Sequence, residues 1–429
     1  MSSVKSFDSL NLLPEILSAL KKKGYTVPTP IQANSIPHLL DGGDILGIAQ
    51  TGTGKTAAFS LPILNNLKIK KIKTKPARMR CLILTPTREL ASQIEENIKE
   101  YSKGLGISSA VIFGGVSPRP QVQKLSRGMD IIVATPGRLL DLMGDGHVRF
   151  EQLETFVLDE ADRMLDMGFI RDVNKIIAKL PEKRQTLLFS ATMPQDIVNL
   201  SKKLLVKPKK VEVTPESTTV EKIDQKINLV HRTNKPKLLK NILEDTTIEH
   251  VLVFTKTKHG ANRVVKHLDQ VGITAAAIHG NKSQGAREKA LGGFRKGTVR
   301  VLVATDIAAR GIDVSHITHV INYNLPDDPK SYVHRIGRTA RAGREGIAIS
   351  FCDDTETKLL NDIEKTINYK IPVDTNHAFH GVAGQPDSQE APRAPRTPRL
   401  RAKSSKDNNN KQRSARRRRA KQKSKSSSL

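Results

Sequence analysis

Short apolar runs recur through the first 370 or so positions, each ending in a polar or glycine-rich turn and followed by apolar positions at helical spacing. In the first half they fall at 45–48, 81–84, 110–113, 131–134, 155–158 and 186–189; in the second at 251–254, 275–278, 299–304, 319–322 and 347–351. Unbroken apolar runs read as strands buried on both faces, and parallel strands need crossover helices between them. The alternation therefore predicts an α/β fold with mostly parallel sheets. Ahead of the first run, Leu13, Ile16, Leu17 and Leu20 follow Pro14 at helical spacing and predict an amphipathic helix. No run approaches the roughly 18 apolar residues a membrane span needs.

The pattern breaks twice. Val206-Lys207-Pro208-Lys209-Lys210 ends the first series, and Thr214 to Thr219 is polar and poor in helix formers. These features predict a first domain over 1–207, a linker over 208–221 and a second domain over 222–372. From 373 to 429 the chain turns to Pro, Ser, Asn, Lys and Arg. With so little apolar surface to offset chain entropy, this tail is expected to be disordered.

Charge narrows the partners. The formal net charge is +28 over 429 residues; +12 lies in 381–429, and the remaining +16 is spread over the rest. The tail has no aromatics and no apolar face for insertion, so nucleic acid is the expected partner rather than a lipid surface. Cys81 and Cys352 are isolated in apolar runs, which gives no disulfide framework or zinc site and fits a reducing compartment. The N-terminal residues lack a basic stretch followed by an apolar core, so a cytoplasmic protein is expected.

Two segments carry the most pointed chemistry. Ala49-Gln50-Thr51-Gly52-Thr53-Gly54-Lys55-Thr56 lies between a predicted strand and a predicted helix. Backbone N–H groups of such a loop converge on phosphate oxygens, Lys55 adds a point charge and Thr56 can ligate Mg²⁺. Ala49 replaces the first glycine of the strict pattern. About a hundred residues on, Phe156-Val157-Leu158-Asp159-Glu160-Ala161-Asp162 reads as a buried strand ending in carboxylates that can hold magnesium and orient water. In order, the pair describes a nucleoside triphosphatase. Further polar segments follow the other strands: Thr85 to Ala91, Gly114-Gly115, Thr135 to Arg138 and Ser190-Ala191-Thr192. In a parallel sheet these all emerge on one edge, where such folds bind ligands.

Taken in order, these segments resemble the DEAD-box RNA helicases over nearly the whole chain before the tail. The likeness includes Phe7, Gly24-Tyr25 and Pro28 to Gln32 at the start, and Val253 to Lys258, His279-Gly280 with Gln284 and Arg287, Ala304 to Asp313 and His334 to Arg341 in the second half. The stretch 256–287 and the short basic tail resemble the bacterial RhlE-type branch most. Ala340 stands where the family more often has Gly, and its extra methyl is expected to be tolerated.

The resemblance implies two RecA-like domains that bind ATP with Mg²⁺, and RNA, across the cleft between them. It gives Lys55 the β- and γ-phosphates, Thr56 and Asp159 the magnesium, and Glu160 the attacking water. Arg338 and Arg341, three apart on an expected helix, are implied arginine fingers. Gln32 is implied as the adenine reader and Tyr25 as the group packed on the base. Phe7, Gln50, Thr51, Gly52, Thr53, Gly54 and Gly311 would complete the nucleotide pocket, with Asp313 at the ribose. Thr87, Arg88, Gly115, Thr135 and Arg138, and in the second domain Thr255, Gly280, Gln284, Arg287 and Thr305, would touch the RNA backbone without reading its sequence. Ser190 and Thr192 would couple the carboxylates to closure, and the tail would act as an auxiliary RNA tether. The expected output is local strand separation. An ATP-gated RNA clamp without unwinding is the alternative, and a DNA helicase of the same superfamily is disfavoured by Gln32 and the DEAD form.

Overall fold

The computed structural model describes residues 6–50, 52–213, 223–309, 317–340 and 346–380. The first sheet is built from β1 (Ile45–Ile48), β2 (Met79–Leu84), β3 (Ser109–Ile112), β4 (Met129–Ala134), β5 (Thr155–Leu158), β6 (Gln185–Ser190) and β7 (Lys209–Glu212). Their order is β3-β4-β2-β5-β6-β1-β7, and every pairing is parallel. Successive residues of a strand point to opposite faces, so one strand feeds two core layers. In β2, Cys81 and Ile83 join Ile31, Phe59, Ile94 and Tyr101 on one side. Leu82 and Leu84 join Phe156, Met164, Val173 and Leu188 on the other. That double burial is why residues 81–84 of β2 read as an unbroken apolar run.

The second sheet contains β8 (Ile223–Leu229), β9 (Val251–Phe254), β10 (Ala275–Ile278), β11 (Val301–Ala304), β12 (His319–Asn322) and β13 (Gly346–Cys352), in the order β10-β11-β9-β12-β13-β8, again all parallel. Helices cover it, as in the first domain, with Val253 and Phe351 in one apolar cluster and Leu252 and Phe294 in another. The helix expected behind Pro14 is present at Pro14–Lys22, burying Ile16, Ala19 and Leu20.

Two boundaries differ from the sequence reading. The linker expected over 208–221 overlaps the sheet: Lys209–Glu212 forms the edge strand β7, with Ile45 to Ile48 paired to Lys209 to Glu212. Only Val211 of β7 is buried, so its composition is that of a linker while its backbone completes the sheet. Likewise the second domain does not stop at 372. Val373 bridges Ile227, Asp374 N donates to Ile227 O at 2.8 Å, and Phe379 packs on the domain's core. Residues 214–222 and 381–429, the rest of the linker and nearly all of the basic tail, lie outside the described residues.

One buried carboxylate ties the start of the first sheet together. Asp44 Oδ1 accepts from Thr186 N at 2.7 Å and Oδ2 accepts from Val206 N at 2.7 Å, so the entry to β1, the start of β6 and the approach to β7 share one acceptor. Asp44→Ala would leave two N–H groups without a partner in the interior. We expect a loss of about 2–4 kcal/mol in urea unfolding, measured against an unchanged denaturant slope.

Candidate nucleotide and nucleic-acid site

The phosphate-loop segment follows β1. Ala49 is buried, and its N–H donates to Ser190 O at 3.0 Å, so the position is a core contact that a methyl fills without strain. Gly52 and Gly54 have φ of +89° and +94°. At Gly54 a side chain is doubly excluded, because a Cβ would also collide with Gln32 Nε2. Gln32 does more than the sequence indicated. Its Oε1 accepts from Thr29 N at 2.9 Å as part of a capping box on the helix Pro30–Leu40, and its Nε2 donates to Gly54 O at 3.2 Å. Each amide atom still has one further bond to make, which is what an adenine edge would use.

Lys55 opens the helix Lys55–Lys70, and its Nζ donates to Ala49 O at 2.8 Å from a buried position. Thr53 Oγ1 donates to Gln50 O at 2.9 Å, and Thr56 is half-buried on the first helical turn. Thr51 lies outside the described residues. Phe7 is a core side chain, 4% exposed. Tyr25 is half-buried against the first domain's apolar cluster. Its ring packs 6.4 Å from Tyr101, with Lys23 Nζ 5.9 Å from its centroid.

β5 delivers the carboxylates. Glu160 adopts φ +53° and ψ +50°, a left-handed conformation that costs a non-glycine residue about 1–2 kcal/mol. Its N–H donates to Asp159 Oδ1 at 3.0 Å. Arg163 Nε lies 3.4 Å from Glu160 Oε2 as an ion pair without hydrogen-bond geometry, and that buried oxygen has no donor. Burial pushes the Asp159 carboxyl up to about 7; the nearby Lys55 ammonium opposes this and Glu160 adds to it. A cation at Asp159 would offset the burial. No group of three or more His, Cys, Asp or Glu among the described residues could hold a metal unaided. A carboxylate after β5 and a hydroxyl after β1, two strand ends separated by β6, suit a hard cation that takes most of its ligands from phosphates and water.

Asp162, a motif residue with no assigned role in the sequence reading, is a clasp. Its Oδ2 accepts from Thr192 N and from Thr192 Oγ1, both at 2.9 Å, and its N–H donates to Ser190 Oγ at 3.2 Å. Ser190 Oγ in turn donates to Thr192 O at 2.7 Å. The two residues expected to couple the carboxylates to closure are therefore bonded to the turn that carries them.

The expected RNA-contacting residues of the first domain follow β2, β3 and β4. Thr87 Oγ1 accepts from Leu90 N and so caps the helix Arg88–Tyr101. Gly115, at φ +78°, lies against the Arg88 guanidinium, where a Cβ would have no room. Arg138 Nη2 donates to Val116 O at 3.1 Å, its Nη1 is buried without an acceptor, and Thr135 is buried at the head of its own helix. In the second domain Thr255 is fully buried, with Oγ1 donating to Thr257 O, while Gly280 is exposed and Thr305 half-buried. Gln284 Nε2 donates to Glu288 Oε1, and its own Oε1 has no donor.

Arg287 departs from the expectation of a phosphate contact. Its Nη2 pairs with Glu89 Oε1 at 2.9 Å, both side chains nearly buried, so it bridges the two domains. Burial lowers the pKa of Arg88, and the cations Arg287 and Arg138 lower it further; three guanidinium groups are thus gathered at one place.

The helix Pro329–Ile336 and the turn after it supply the second-domain residues; Arg338, expected on the helix, lies in that turn, because the helix ends at Ile336. Arg335, not singled out in the sequence, holds Asp306 with both arms at 2.6 and 2.7 Å, and its Nη1 donates to Asn322 Oδ1 and Asn324 O. Its guanidinium also stacks 5.0 Å from the Phe254 centroid. Arg338 is buried, with Nε donating to His334 O. Burial lowers the His334 pKa, and Arg163 and Arg338 lower it further, with Asp162 opposing; the acidic turn of the first domain thus faces this helix. Gly311, Asp313 and Arg341 lie outside the described residues.

Residues 29–200 match the profile of the DEAD/DEAH box helicases, and residues 234–343 that of the helicase conserved C-terminal domain. The chain is 41% identical over 366 residues to the DEAD-box ATP-dependent RNA helicase CshA of Geobacillus kaustophilus, covering 85% of this chain and 77% of that protein. It is 45% identical over 368 residues to the ATP-dependent RNA helicase DeaD of Klebsiella pneumoniae, covering 86% of this chain and 56% of that one. Among solved structures it is similar to S. cerevisiae Dbp5 bound to RNA and ADP BeF3, at 32% identity, 86% and 95% coverage and a TM-score of 0.75.

Ala340 follows the second-domain helix at φ +53°, so what disfavours it is the backbone and not the methyl's surroundings. Ala340→Gly relieves that conformation while adding freedom to the unfolded chain. We expect a net gain of about 0.5–1 kcal/mol, read as a higher urea midpoint at constant slope.

Proposed function

This chain belongs to the DEAD-box ATP-dependent RNA helicases, and on that premise we propose that its cleft couples hydrolysis of ATP to local separation of RNA strands. The observation that carries this reading is the juxtaposition of the phosphate loop, the Asp159–Asp162 turn and Ser190-Ala191-Thr192 on neighbouring strand ends, with Arg338 buried in the turn that ends the facing helix.

Each residue's part follows from its placement. Lys55 has two N–H bonds left after Ala49 O and directs them to the β- and γ-phosphates. Gly52 and Gly54 hold the backbone open for phosphate oxygens, and Gln32 fixes the loop while presenting its remaining donor and acceptor to an adenine edge. Thr56 and Asp159 would hold Mg²⁺, which supplies charge neutralisation on the phosphates when bound. Glu160, in its strained conformation with one oxygen lacking a donor, accepts the proton of the attacking water. Arg338 and Arg341 answer the charge that develops on the transferring phosphoryl group, so turnover requires the domains together.

RNA lies along the edge marked by Arg88, Gly115, Arg138 and their second-domain counterparts. Contacts of this kind go to phosphate and 2′-hydroxyl groups and carry little sequence preference. The basic tail adds non-specific affinity. Placement in the RhlE-type branch rests on the stretch 256–287 and the short tail. A cytoplasmic setting is supported by the two buried, unpaired cysteines, and no helix among the described residues is long and apolar enough to cross a membrane.

Glu160→Gln keeps the shape of the side chain and removes the base. We expect RNA-stimulated ATP hydrolysis to fall ~10²–10⁴-fold while nucleotide and RNA binding persist; wild-type turnover would remove Glu160 from the mechanism. The same preparations answer the clamp alternative, because a clamp hydrolyses ATP and holds RNA yet leaves a short duplex paired.

The tail is tested by truncation after His380, since 373–380 belong to the second domain. Basal ATPase activity should be unchanged. A tail that neutralises phosphates contributes roughly −0.7 per phosphate to the slope of log affinity against log salt on single strands, so the truncated protein should give a flatter line. Equal slopes and equal low-salt affinity would show that the tail does not tether RNA.

A further inference from the structure

The first domain has a cavity of about 440 Å³ that neither the nucleotide nor the RNA reading uses. It lies between the end of the helix Lys55–Lys70, the segment leading into β2 and the turns that precede β3 and β4. All of these belong to the N-terminal ends of the strands. β2 is six residues long, so at roughly 3.3 Å per residue the cavity is about 20 Å from the edge where the nucleotide and RNA residues emerge.

Its walls are cationic. Lys68, Lys71, Lys73, Arg80 and Arg127 line it, and Asp130 is the one carboxylate among the lining residues. Asp130 is already engaged, accepting from Ser108 N and Oγ and from Thr74 Oγ1. Arg80 is the informative group. It is 2% exposed; its Nε donates to Glu154 Oε1 at 2.6 Å and its Nη1 to Leu67 O at 3.0 Å, while Nη2 has no acceptor in the protein. Glu154 does not cancel this charge alone, because Lys70 shares it at 2.7 Å. The carbonyl end of the helix Lys55–Lys70 opposes an anion here, but that half-charge, partly satisfied by Arg80, and the Asp130 carboxylate are outweighed by Lys68, Lys71, Lys73 and Arg127. Leu67, Ile72, Leu105 and Ile107 supply an apolar wall.

We propose that this cavity is a second ligand site, for a small molecule of nucleotide size carrying at least two linked phosphates. The Arg80 guanidinium, closed off from solvent, fixes a positive charge behind the wall, and the exposed Lys71, Lys73 and Arg127 at the mouth supply the donors for phosphate oxygens. The concave shape, with a volume within the ~300–1,000 Å³ typical of small-ligand sites and an apolar side, favours a compact organic phosphate over a polynucleotide, which tracks an open groove.

The test uses the full chain carrying Lys55→Ala, so that the phosphate loop contributes little. Inorganic pyrophosphate and GDP are titrated by calorimetry, and acetylation of lysines is mapped by mass spectrometry. Binding with Kd at or below about 1 mM is expected, together with protection of Lys71 and Lys73 but not of the exposed Lys22. Adding Lys71→Glu and Arg127→Glu, both at exposed positions where folding should persist and is checked by thermal melting, should weaken binding at least ~10-fold. Absence of heat and of protection at millimolar ligand overturns the proposal. So does equal affinity in the charge-reversed protein. Protection by single-stranded oligouridylate without any by pyrophosphate or GDP also overturns it, and would mark the cavity as a nucleic-acid contact instead.

Discussion

The parallel pairing of β5 between β2 and β6, with β1 beyond β6, is the constraint on which the rest of the molecule depends. Because all four strands run the same way, the segments that follow them must leave the sheet at one edge. The helix cap at Thr87, the Asp159–Asp162 turn, Ser190 and Thr192, and the phosphate loop are therefore neighbours although 140 positions separate the first glycine of the loop from Thr192. The hydrogen bonds of Asp162 to Ser190 and Thr192 are local consequences of that alignment. Asp44, bonded at the opposite end of β1 and β6, keeps the register that makes them possible.

The second domain repeats the device and turns its own edge toward the first. Two kinds of contact meet there. Arg287 and Glu89 form a nearly buried ion pair, which is a poor source of net stability but a costly one to break on one side only. His334 and Arg338 face the acidic turn, where burial and neighbouring cations keep the imidazole neutral at lower pH than usual. Arg335 does not take part in that meeting directly. By gripping Asp306 and the carbonyl of Asn324 it fixes the strand ends from which the facing surface is built. Charge at this cleft is concentrated in few groups, and its balance depends on both domains being present.

Elements whose residues are buried on both sides were legible without any structure. β9 and the runs 81–84 of β2 and 156–158 of β5 are apolar because helices cover both faces. The phosphate loop was legible for another reason: its glycines answer a backbone requirement, seen in the positive φ of Gly52 and Gly54, that few other residues meet. β7 and the segment 372–374 were not legible. An edge strand needs only a backbone to pair, and with Val211 alone buried in β7 no periodic signal survives in the composition.

The sequence by itself determined the fold class, the order of the motifs and the identity of the groups able to handle phosphate, because burial and backbone geometry restrict residue type position by position. Only the tertiary structure decided how those groups are shared. Tyr25 packed on Tyr101; Gln32 acquired a cap and a carbonyl; Arg287 acquired Glu89; Arg80 was left with an unmet, enclosed donor behind a basic cavity. A side chain's partner depends on which strands become neighbours, and that is set by long-range pairing energies distributed over the whole sheet rather than by any residue's own surroundings in the chain.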